Sequence, residues 1–406
     1  MTAVLFEDCV VVDVDVGSST ADACVLVEGN LIAEVGPAGS FPVPDDARKV
    51  RLGGRFLSPG LINCHVHFGL VLPGAAGDAL RHESDAAHAL RMAANARQTI
   101  EIGVTTVRLV GERPYTDLDI RASIAKGETV GPRVYTAGPL LISTGGHGWE
   151  LDGTLEADGA DGFRRAARTQ LRHGVDLLKI SVSGGIAGEN ESIADPQMQP
   201  EEIRAITGVA HARGKKVAAH AGPPRVIELA VECGVDTIEH GYFLDQAAIQ
   251  TMVEHGAWLV PTVNVSRATE FYARIGAPAW MVARALEAGE QHWAALKDAI
   301  KGGVSIAMGT DMMPQEPFDG TNVTARELEF YVEAGMSPSE ALRTATVNAA
   351  AMLGVDTIGR IRKDNRADLI VLDDDPTGDI SALRDVRLVM ADGRIVKHNL
   401  TRSLAE

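Results

Sequence analysis

Cysteine is scarce in this chain of 406 residues, and its pattern excludes a disulfide framework. Only four cysteines occur, and none belongs to a C-x-x-C motif. Scattered single cysteines are typical of free thiols in a reducing compartment. The first residues also lack the basic region and the long apolar region of a secretory signal peptide. We therefore expect a cytoplasmic protein without disulfide bonds.

Positive charge, aromatic residues and long apolar runs are limited as well. The chain carries 38 Lys and Arg against 55 Asp and Glu, a net charge of −17, which disfavours non-specific binding to a nucleic-acid backbone. Aromatic residues make up only 4% of the chain, which is atypical of a protein that binds its ligands by stacking. No segment approaches the roughly 18 consecutive apolar residues of a membrane span. We expect neither nucleic acid nor a membrane as a partner.

Apolar residues and glycine are abundant, and between residues 56 and 354 they follow a repeating order. Short apolar strands alternate with helical segments, which is typical of β/α units with a parallel sheet. A glycine often precedes the strand, as in Ile102-Gly103-Val104, where it would end the preceding helix. The predicted strands are Phe56–Phe68, Val104–Val110, Arg133–Ala137, Asp176–Val182, Lys216–Ala221, Asp236–Tyr242, Trp258–Val263 and Ser305–Thr310. Eight such units predict an α/β protein with a (β/α)8 TIM barrel over residues 56–354 and an active site at the carboxyl ends of the strands.

Both ends of the chain have β character. Glu28-Gly29-Asn30 and Ala391-Asp392-Gly393-Arg394 are hairpin signals between apolar segments. Neither end is long enough to form a good core alone, because small sheets are marginally stable. We expect residues 1–55 and 355–406 to pair into one small β-sandwich domain beside the barrel.

Residues of the kinds that bind metals lie at or near the ends of the predicted barrel strands. His65 and His67 are two residues apart on the first strand, so their side chains share one face. His220, His240 and Asp311 lie at the ends of the fifth, sixth and eighth strands. Since chance would scatter such residues over helices and loops too, this distribution favours a metal site.

Lys179 is the unusual member of the fourth strand, where its neighbours are apolar. A buried ammonium is unfavourable, so burial favours the neutral amine. A neutral amine can add carbon dioxide and become a carbamate, an anionic ligand able to bridge two metals. An internal salt bridge is the alternative interpretation.

Several motifs resemble one family. Ser143-Thr144-Gly145-Gly146-His147-Gly148, Lys179–Gly185, Thr237–Gly241 and Val260-Pro261-Thr262 are similar to the binuclear-metal branch of the amidohydrolase superfamily, in particular its prolidase-like group of Xaa-Pro and Xaa-Arg/Lys dipeptidases and ochratoxinases. The resemblance implies two divalent metal ions, with zinc expected. It implies that His65 and His67 bind the more buried metal, that His220 and His240 bind the second, that carboxylated Lys179 bridges them, and that Asp311 completes the set.

The same resemblance implies a function. We expect hydrolysis of an amide (C–N) bond in a small molecule: a dipeptide or N-acyl amino acid, as in dipeptidases, carboxypeptidases and enzymes acting on ochratoxin-type amides. A metal-bridging hydroxide would attack, with Asp311 as general base and then acid. His147 is assigned to the developing oxyanion. Substrate contacts are expected from Arg108, Tyr242 and Asn264, and the loop Gly184–Gln199 could form part of a lid.

Alternatives remain open at this point. One is a hydrolase of cyclic amides or ureides, or an imidazolonepropionase-like enzyme or deaminase; Lys179 argues against the forms with a single metal. The other is a non-catalytic barrel, against which all six ligand positions are filled. Relatives commonly form homo-oligomers, so we expect one here. No site role is expected for the remaining histidines, which are His82, His88, His173, His211, His255, His292 and His398.

Overall fold

The computed structural model describes residues 3–400, which form twenty strands and twelve helices. Numbered β1 to β20 in chain order, the strands are Val4–Asp13, Ser18–Glu28, Leu31–Pro37, Arg48–Arg51, Phe56–Pro59, Leu61–Val66, Val104–Leu109, Arg133–Thr136, Leu140–Ile142, Thr154–Glu156, Leu178–Ser181, Val217–Ala221, Thr237–His240, Trp258–Val260, Ser305–Ile306, Pro317–Phe318, Thr321–Asn322, Leu369–Leu372, Leu388–Ala391 and Arg394–His398. Numbered α1 to α12, the helices are Ala75–Leu80, Asp85–Glu101, Thr116–Lys126, Gly159–His173, Pro200–His211, Pro224–Glu232, Gln246–His255, Thr269–Ile275, Ala279–Lys301, Val323–Glu333, Pro338–Thr344 and Val347–Leu353.

The two ends of the chain form one eight-stranded sheet. Its order is β20-β19-β18-β5-β1-β2-β3, and β4 also pairs with β1. The two predicted hairpins are confirmed, with Glu28 opposite Leu31 and Ala391 opposite Arg394. The antiparallel pairing of β18 with β5 joins the C-terminal strands to the N-terminal ones. One face of this sheet buries its own apolar cluster, which includes Phe6 and Leu57.

The first predicted barrel strand, Phe56–Phe68, is wrong as a single element. It consists of two strands: β5 lies in the terminal sheet, and β6 pairs with β7. Gly60 separates them, and a Cβ there would overlap the side chain of Thr105. A continuous apolar sequence hid this change of sheet, because both strands are buried.

Most of the remaining strands of the central region are parallel, while β16 and β17 form a separate antiparallel pair. β6, β7 and β8 pair in that order, and a second series runs β9-β11-β12-β13-β14-β15. The predicted third strand corresponds to β8, which pairs with β7. The next segment, β9, makes the connection to the second series by pairing with β11. After β15, the chain returns to β6: the N–H of Cys64 donates to the carbonyl of Met308 over 2.8 Å, and the N–H of Thr310 donates to that of His65 over 3.1 Å.

The seventh and eighth strands are shorter than predicted. β14 ends at Val260, and a 3₁₀ turn, Val263–Ser266, follows Thr262, whose φ is 50°. β15 has only two residues, and the segment up to Asp311 leaves the regular ladder. The other predicted strands agree with the structure to within two residues at each end. The differences therefore concentrate where side chains are presented to the site.

Helices pack around the parallel strands, and glycines end them as the sequence predicts. α4 ends at Gly174 and α7 at Gly256, both in the left-handed conformation. Cys64 is fully buried in an apolar cluster that includes Ala349 and Ala350 of α12. Within residues 3–400, no helix combines the length and the apolarity required to cross a membrane.

Candidate metal centre

Six residues that the sequence singled out meet at the carboxyl ends of the parallel strands. All six line one cavity, here named the site cavity, which encloses about 820 Å³ including its open mouth. They are His65 on β6, His67 directly after β6, Lys179 on β11, His220 on β12, His240 on β13, and Asp311 after β15. Residues separated by up to 246 positions in the chain are thus brought into one site, as the strand-end pattern predicts.

Asp311 lies at the centre of the histidines. Its Oδ1 is 3.1 Å from Nε2 of His65 and 3.0 Å from Nε2 of His67. Its Oδ2 is 3.9 Å from Nδ1 of His240. His65, His240 and Asp311 each offer a ligand atom within 4.8 Å of the others. A carboxylate and imidazoles at this spacing form a donor set suited to a divalent transition metal.

Outer hydrogen bonds orient the imidazoles. Nδ1 of His65 lies 2.7 Å from a carboxylate oxygen of Glu239, and Nδ1 of His67 lies 2.7 Å from the carbonyl of Gly111. These acceptors hold the proton on Nδ1 and leave Nε2, which faces Asp311, available to a metal. On the other side of the cluster, Nε2 of His220 contacts the carbonyl of Gly184 over 3.0 Å. Such outer contacts fix the tautomer and the ring orientation of metal ligands.

The protonation of the cluster also suits metal binding. Burial lowers the pKa of His220 and of His240 well below the ordinary histidine value, so both rings are neutral. Burial alone would raise the pKa of Asp311, but His65 and His67 hold it well below the ordinary value. His220 and His240 therefore present neutral imidazoles and Asp311 an ionised carboxylate, the forms that coordinate metals. Burial alone would lower the pKa of His67, but Asp311 raises it.

Lys179 provides the test of whether a bridging carbamate fits. Its side chain is 3% exposed, and its Nζ has no hydrogen-bond partner within residues 3–400. Burial lowers the pKa of Lys179 to about 8. A buried amine without a partner is unfavourable unless further chemistry satisfies it, and no hydrogen-bonded carboxylate supports the alternative of an internal salt bridge. The residues present fit a carboxylated lysine between two metals.

Three non-glycine residues at the site have a left-handed backbone. His240, Thr262 and Asp311 have positive φ angles of 69°, 50° and 51°. The hydroxyl of Thr262 lies 2.7 Å from Nδ1 of His240. Left-handed conformations are unfavourable for these residue types and persist where the surrounding structure requires them. Here they turn the two ligand side chains toward the cavity.

His147 lies in the loop after β9 and reaches the cluster. Its ring stacks on that of His220 with the centroids 4.1 Å apart. Nδ1 of His147 lies 2.5 Å from Oε1 of Glu191, and its backbone N–H donates to Oε1 of Gln197 over 2.8 Å. Both partners belong to the loop after β11. This loop therefore holds His147 against the metal ligands.

Arg108 does not have the substrate-contacting position that the sequence suggested. Its side chain is only 2% exposed, and its guanidinium donates to Glu239 over 2.7 Å, to Thr237 over 3.1 Å and to the carbonyl of Cys64. Burial would raise the pKa of Glu239, but Arg108 and Lys179 hold it far below its ordinary value. The expectation is corrected: Arg108 supports the carboxylate that orients His65.

The other two expected substrate contacts differ from each other. Asn264 is fully buried, and its amide donates to the carbonyl of Thr310 over 2.7 Å. The expectation is therefore corrected: Asn264 is a supporting residue and not a substrate contact. Tyr242 stacks on His240 with the centroids 5.0 Å apart and lines a second cavity beside the cluster. Arg113, which the sequence did not single out, lines the site cavity and pairs with Asp152 over 2.5 Å.

Three supporting residues were not predicted. Glu239 and Glu191 are named above, and the third is His292 on α9. Nε2 of His292 donates to the carbonyls of Pro261 and His240 over 3.0 and 3.2 Å. Glu239 could have been found from the sequence because, like Lys179, it is an ionisable residue on a predicted barrel strand, and it directly precedes the candidate ligand His240. The sequence carries no such indication for His292, because the pattern of a helix does not reveal which strand end the helix packs against.

Comparisons with known proteins agree with this geometry. The sequence model of the Amidohydrolase family matches residues 56–396. Ochratoxinase of Aspergillus niger is 30% identical over 410 residues, which cover 92% of this chain and 82% of that protein. A crystal structure of a Xaa-Pro dipeptidase with bound methionine superposes with a TM-score of 0.87 at 29% identity, covering 97% of this chain and 99% of that one. Imidazolonepropionase of Salinispora tropica is 26% identical over 377 residues, covering 87% of this chain and 86% of that protein.

Proposed function

The chain belongs to the amidohydrolase family and is a hydrolase of amide bonds; we propose that it cleaves dipeptides or N-acyl amino acids with two divalent metal ions, zinc being expected. The observation that carries the proposal is Lys179, buried and without a hydrogen-bond partner in the part of the chain that the structure describes, inside a cluster of four histidines and an aspartate. The similarity to ochratoxinase and to a Xaa-Pro dipeptidase supports an amide as the scissile bond.

Each metal has candidate ligands in this chain. His65 and His67 would hold the first metal, and His220 and His240 the second. Carboxylated Lys179 would bind both, and Asp311 would complete the set. When bound, such metals lower the pKa of a water molecule and polarise the scissile carbonyl.

Asp311 is the proposed proton carrier. Its carboxylate lies between His65 and His67 and reaches toward His240, so it borders the space in which a water and an amide would meet. Because its pKa is low, Asp311 is ionised and able to accept a proton. The same oxygen would then give that proton to the leaving nitrogen, which must be protonated to depart as an amine.

His147 is the proposed donor to the oxyanion. Its Nδ1 is engaged by Glu191, so Nε2 is the ring atom left to face a substrate. Burial alone would raise the pKa of Glu191, but the bond to His147 lowers it, so a carboxylate stands behind the ring. The carboxylate fixes the ring so that Nε2 faces the cavity, where His147 would donate to a developing negative charge.

Arg113 is the proposed contact for a substrate carboxylate in place of Arg108. It lies on the wall of the site cavity, and its side chain remains 14% exposed. Its partner Asp152 is more exposed, at 46%, and belongs to the loop that carries His147. An arginine and an aspartate side by side offer complementary charges to the carboxylate and the amino group of an amino acid.

We further propose that the parallel strands close into a (β/α)8 barrel, with the bonds from Cys64 and Thr310 joining its last strand to its first. Since β5 belongs to the terminal sheet, the barrel would begin after Gly60 rather than at residue 56. A β-sandwich formed by the two termini, a homo-oligomeric state and a cytoplasmic location stay predictions.

A second candidate is an imidazolonepropionase-like hydrolase of a cyclic amide, favoured by the similarity to the enzyme of Salinispora tropica. The two candidates differ in their use of Lys179. In the resemblance used above, the forms with one metal lack this lysine, whereas the proposed binuclear site requires it.

The test is a hydrolysis screen with protein reconstituted with zinc and bicarbonate. The substrates are Xaa-Pro and Xaa-Arg dipeptides, N-acyl amino acids, phenylalanine amides of the ochratoxin type and cyclic ureides. We expect cleavage of at least one linear amide, and a loss of at least about a hundredfold in kcat/KM for Lys179→Ala. The matched control is Lys126→Ala at an exposed helix end. Full activity of Lys179→Ala would contradict the proposal.

A further inference from the structure

A second cavity opens from the metal centre on the side of α8 and α9. It encloses about 440 Å³ including its opening. It shares His147, His220 and Asp311 with the site cavity. Its walls away from the cluster are formed mainly by Ile186, Val265, Phe271, Tyr272, Met281 and Met312. We name this space the apolar chamber.

The polar atoms of two wall residues, Tyr272 and Met312, are occupied by the protein itself, and the hydroxyl of Tyr242 also lines the chamber. The hydroxyl of Tyr272 donates to the carbonyl of Val265 over 2.6 Å. The sulfur of Met312 receives the amide of Asn264 over 3.1 Å. Apart from the metal-site residues and His147, every lining residue is aliphatic, aromatic or a methionine. Away from the cluster and His147, the chamber therefore offers mainly carbon and sulfur surfaces, one tyrosine hydroxyl and no charged side chain to a group that enters it.

The chamber is fixed in shape by contacts behind its walls. The guanidinium of Arg284 on α9 donates to the carbonyls of Gly185 and Ile186 over 3.3 Å and to that of Glu189 over 3.2 Å. Arg284 also lies over the ring of Trp280, 5.1 Å from its centroid. One arginine thus ties the loop that carries Ile186 to the helix that carries Met281. A pocket held in this way is formed before a ligand binds.

The site cavity differs in chemistry from the chamber, although the two share the apolar residues Leu70, Leu72 and Ala187. The walls of the site cavity include Glu112, Arg113 and Asp152, which are charged or ionisable. The two spaces meet at His147, His220 and Asp311, where the scissile amide would lie. A substrate that spans the junction would place one half among charges and the other half among apolar side chains.

We propose that the apolar chamber binds an aliphatic or single-ring aromatic side chain of the substrate, on one side of the scissile amide. This inference rests on the proposed function, because the amide must lie at the metal centre for a side chain to reach the chamber. It makes the protein selective for amides in which one half carries a group such as isobutyl or benzyl, and it disfavours charged groups of similar size.

The experiment uses the full chain reconstituted with zinc and bicarbonate and two dipeptide series. One series is Xaa-Ala and the other is Ala-Xaa, with Xaa being Gly, Leu, Phe, Asp or Lys. We expect kcat/KM in one series to be at least about tenfold higher for Leu or Phe than for Gly, and lowest for Asp and Lys. The series that responds identifies which half enters the chamber. Equal values of kcat/KM across both series would contradict the role proposed for the chamber, while the observed cleavage would still support amide hydrolysis.

Two variants test whether the selectivity for apolar side chains arises in the apolar chamber. Phe271→Ala and the nearly isosteric Val265→Thr should each reduce the Leu-to-Gly ratio by at least about threefold, because they remove apolar surface or add a hydroxyl. Leu286→Ala, on the exposed face of α9, is the matched control and should keep the ratio. Unchanged ratios in both chamber variants, with folding verified by circular dichroism, would overturn the assignment.

Binding measurements separate the two proposals if no dipeptide is cleaved. Absent turnover would contradict the proposed function alone. Calorimetric titration with leucine, glycine and aspartate then tests the chamber directly. Tighter binding of leucine that is weakened in Val265→Thr supports the chamber, and indistinguishable binding of the three amino acids contradicts it.

Discussion

Nδ1 of His147 donates to the carboxylate of Glu191 across 2.5 Å, so a residue of the loop after β9 is held by the loop after β11. We predict that Glu191→Gln lowers kcat by about tenfold to a hundredfold with a smaller change in KM, because the neutral amide holds the ring of His147 less firmly toward the developing oxyanion. Steady-state kinetics on the best substrate of the screen measure this. Glu189→Gln, an exposed neighbour in the same loop, is the control. An equal loss of kcat in Glu191→Gln when His147 is already replaced by alanine would show that Glu191 acts elsewhere.

Gly185 packs flat against the ring of His147, and a Cβ at this position would overlap it. We predict that Gly185→Ala displaces His147 and lowers kcat by at least about tenfold, since small misplacements of a catalytic group have large effects. The backbone of Gly185 does not have a positive φ, so alanine adds only the steric effect. Gly208→Ala on α5, where nothing lies within 4 Å of the added methyl group, should be fully active. Unimpaired kcat in Gly185→Ala would show that His147 is dispensable or mobile.

Arg108 is assigned a supporting role, and its replacement should therefore act on folding. Arg108→Met leaves the buried carboxylate of Glu239 without its cation, which we expect to lower the free energy of unfolding by about 3–5 kcal/mol. Metal content should fall as well, because Glu239 orients His65. Thermal denaturation and metal analysis measure both. A normal melting temperature together with a raised KM would instead support the original assignment to the substrate carboxylate.

The buried carboxyl group of Glu327, which is not one of the six candidate ligands, should make the stability of the protein depend on pH. It is fully buried on α10, and its carboxyl group accepts the N–H groups of Val263 and Asn264 over 2.8 and 3.0 Å. Burial raises its pKa from the ordinary 4.5 to about 8, and these hydrogen bonds offset only part of the shift. Between these two values the folded chain binds a proton that the unfolded chain has lost. Stability from this group is therefore complete below about pH 4.5 and is lost as the pH rises through about 8.

The measurement compares melting temperatures of the parent and Glu327→Gln from pH 5 to 9. The difference between the two proteins should move in favour of Glu327→Gln as the pH rises, because glutamine cannot ionise. Glu333 is an exposed residue at the C-terminal end of the same helix, and the control Glu333→Gln should show no such trend. A difference that is constant over this range would mean that Glu327 has an ordinary pKa.

The sequence predicted those parts of the fold and site that depend on local pattern. His65 and His67 share a face because strand side chains alternate, and Lys179 was conspicuous because its neighbours are apolar. The order of strands and helices, with glycines such as Gly174 ending helices, located the strand ends and hence all six candidate ligands. These inferences need only neighbours along the chain.

Contacts between distant segments could not be predicted in this way. Arg108 and Glu239 are 131 residues apart, and His147 and Glu191 are 44 apart, so no periodicity links either pair. The transition from the terminal sheet to the parallel strands at Gly60 was hidden, because β5 and β6 are both apolar. The left-handed backbone at His240 and Asp311 could not be predicted either, since such a backbone is uncommon for any residue other than glycine and depends on the surrounding structure.

The central claim is that Lys179 completes a site for two metals, and metal stoichiometry tests it most directly. The protein would be reconstituted with zinc and bicarbonate, freed of excess metal, and analysed by plasma mass spectrometry alongside Lys179→Ala. The account predicts about two zinc ions per chain in the parent and a clear loss in the variant. A parent that binds a single zinc ion, unchanged in Lys179→Ala, would contradict it and favour a mononuclear hydrolase.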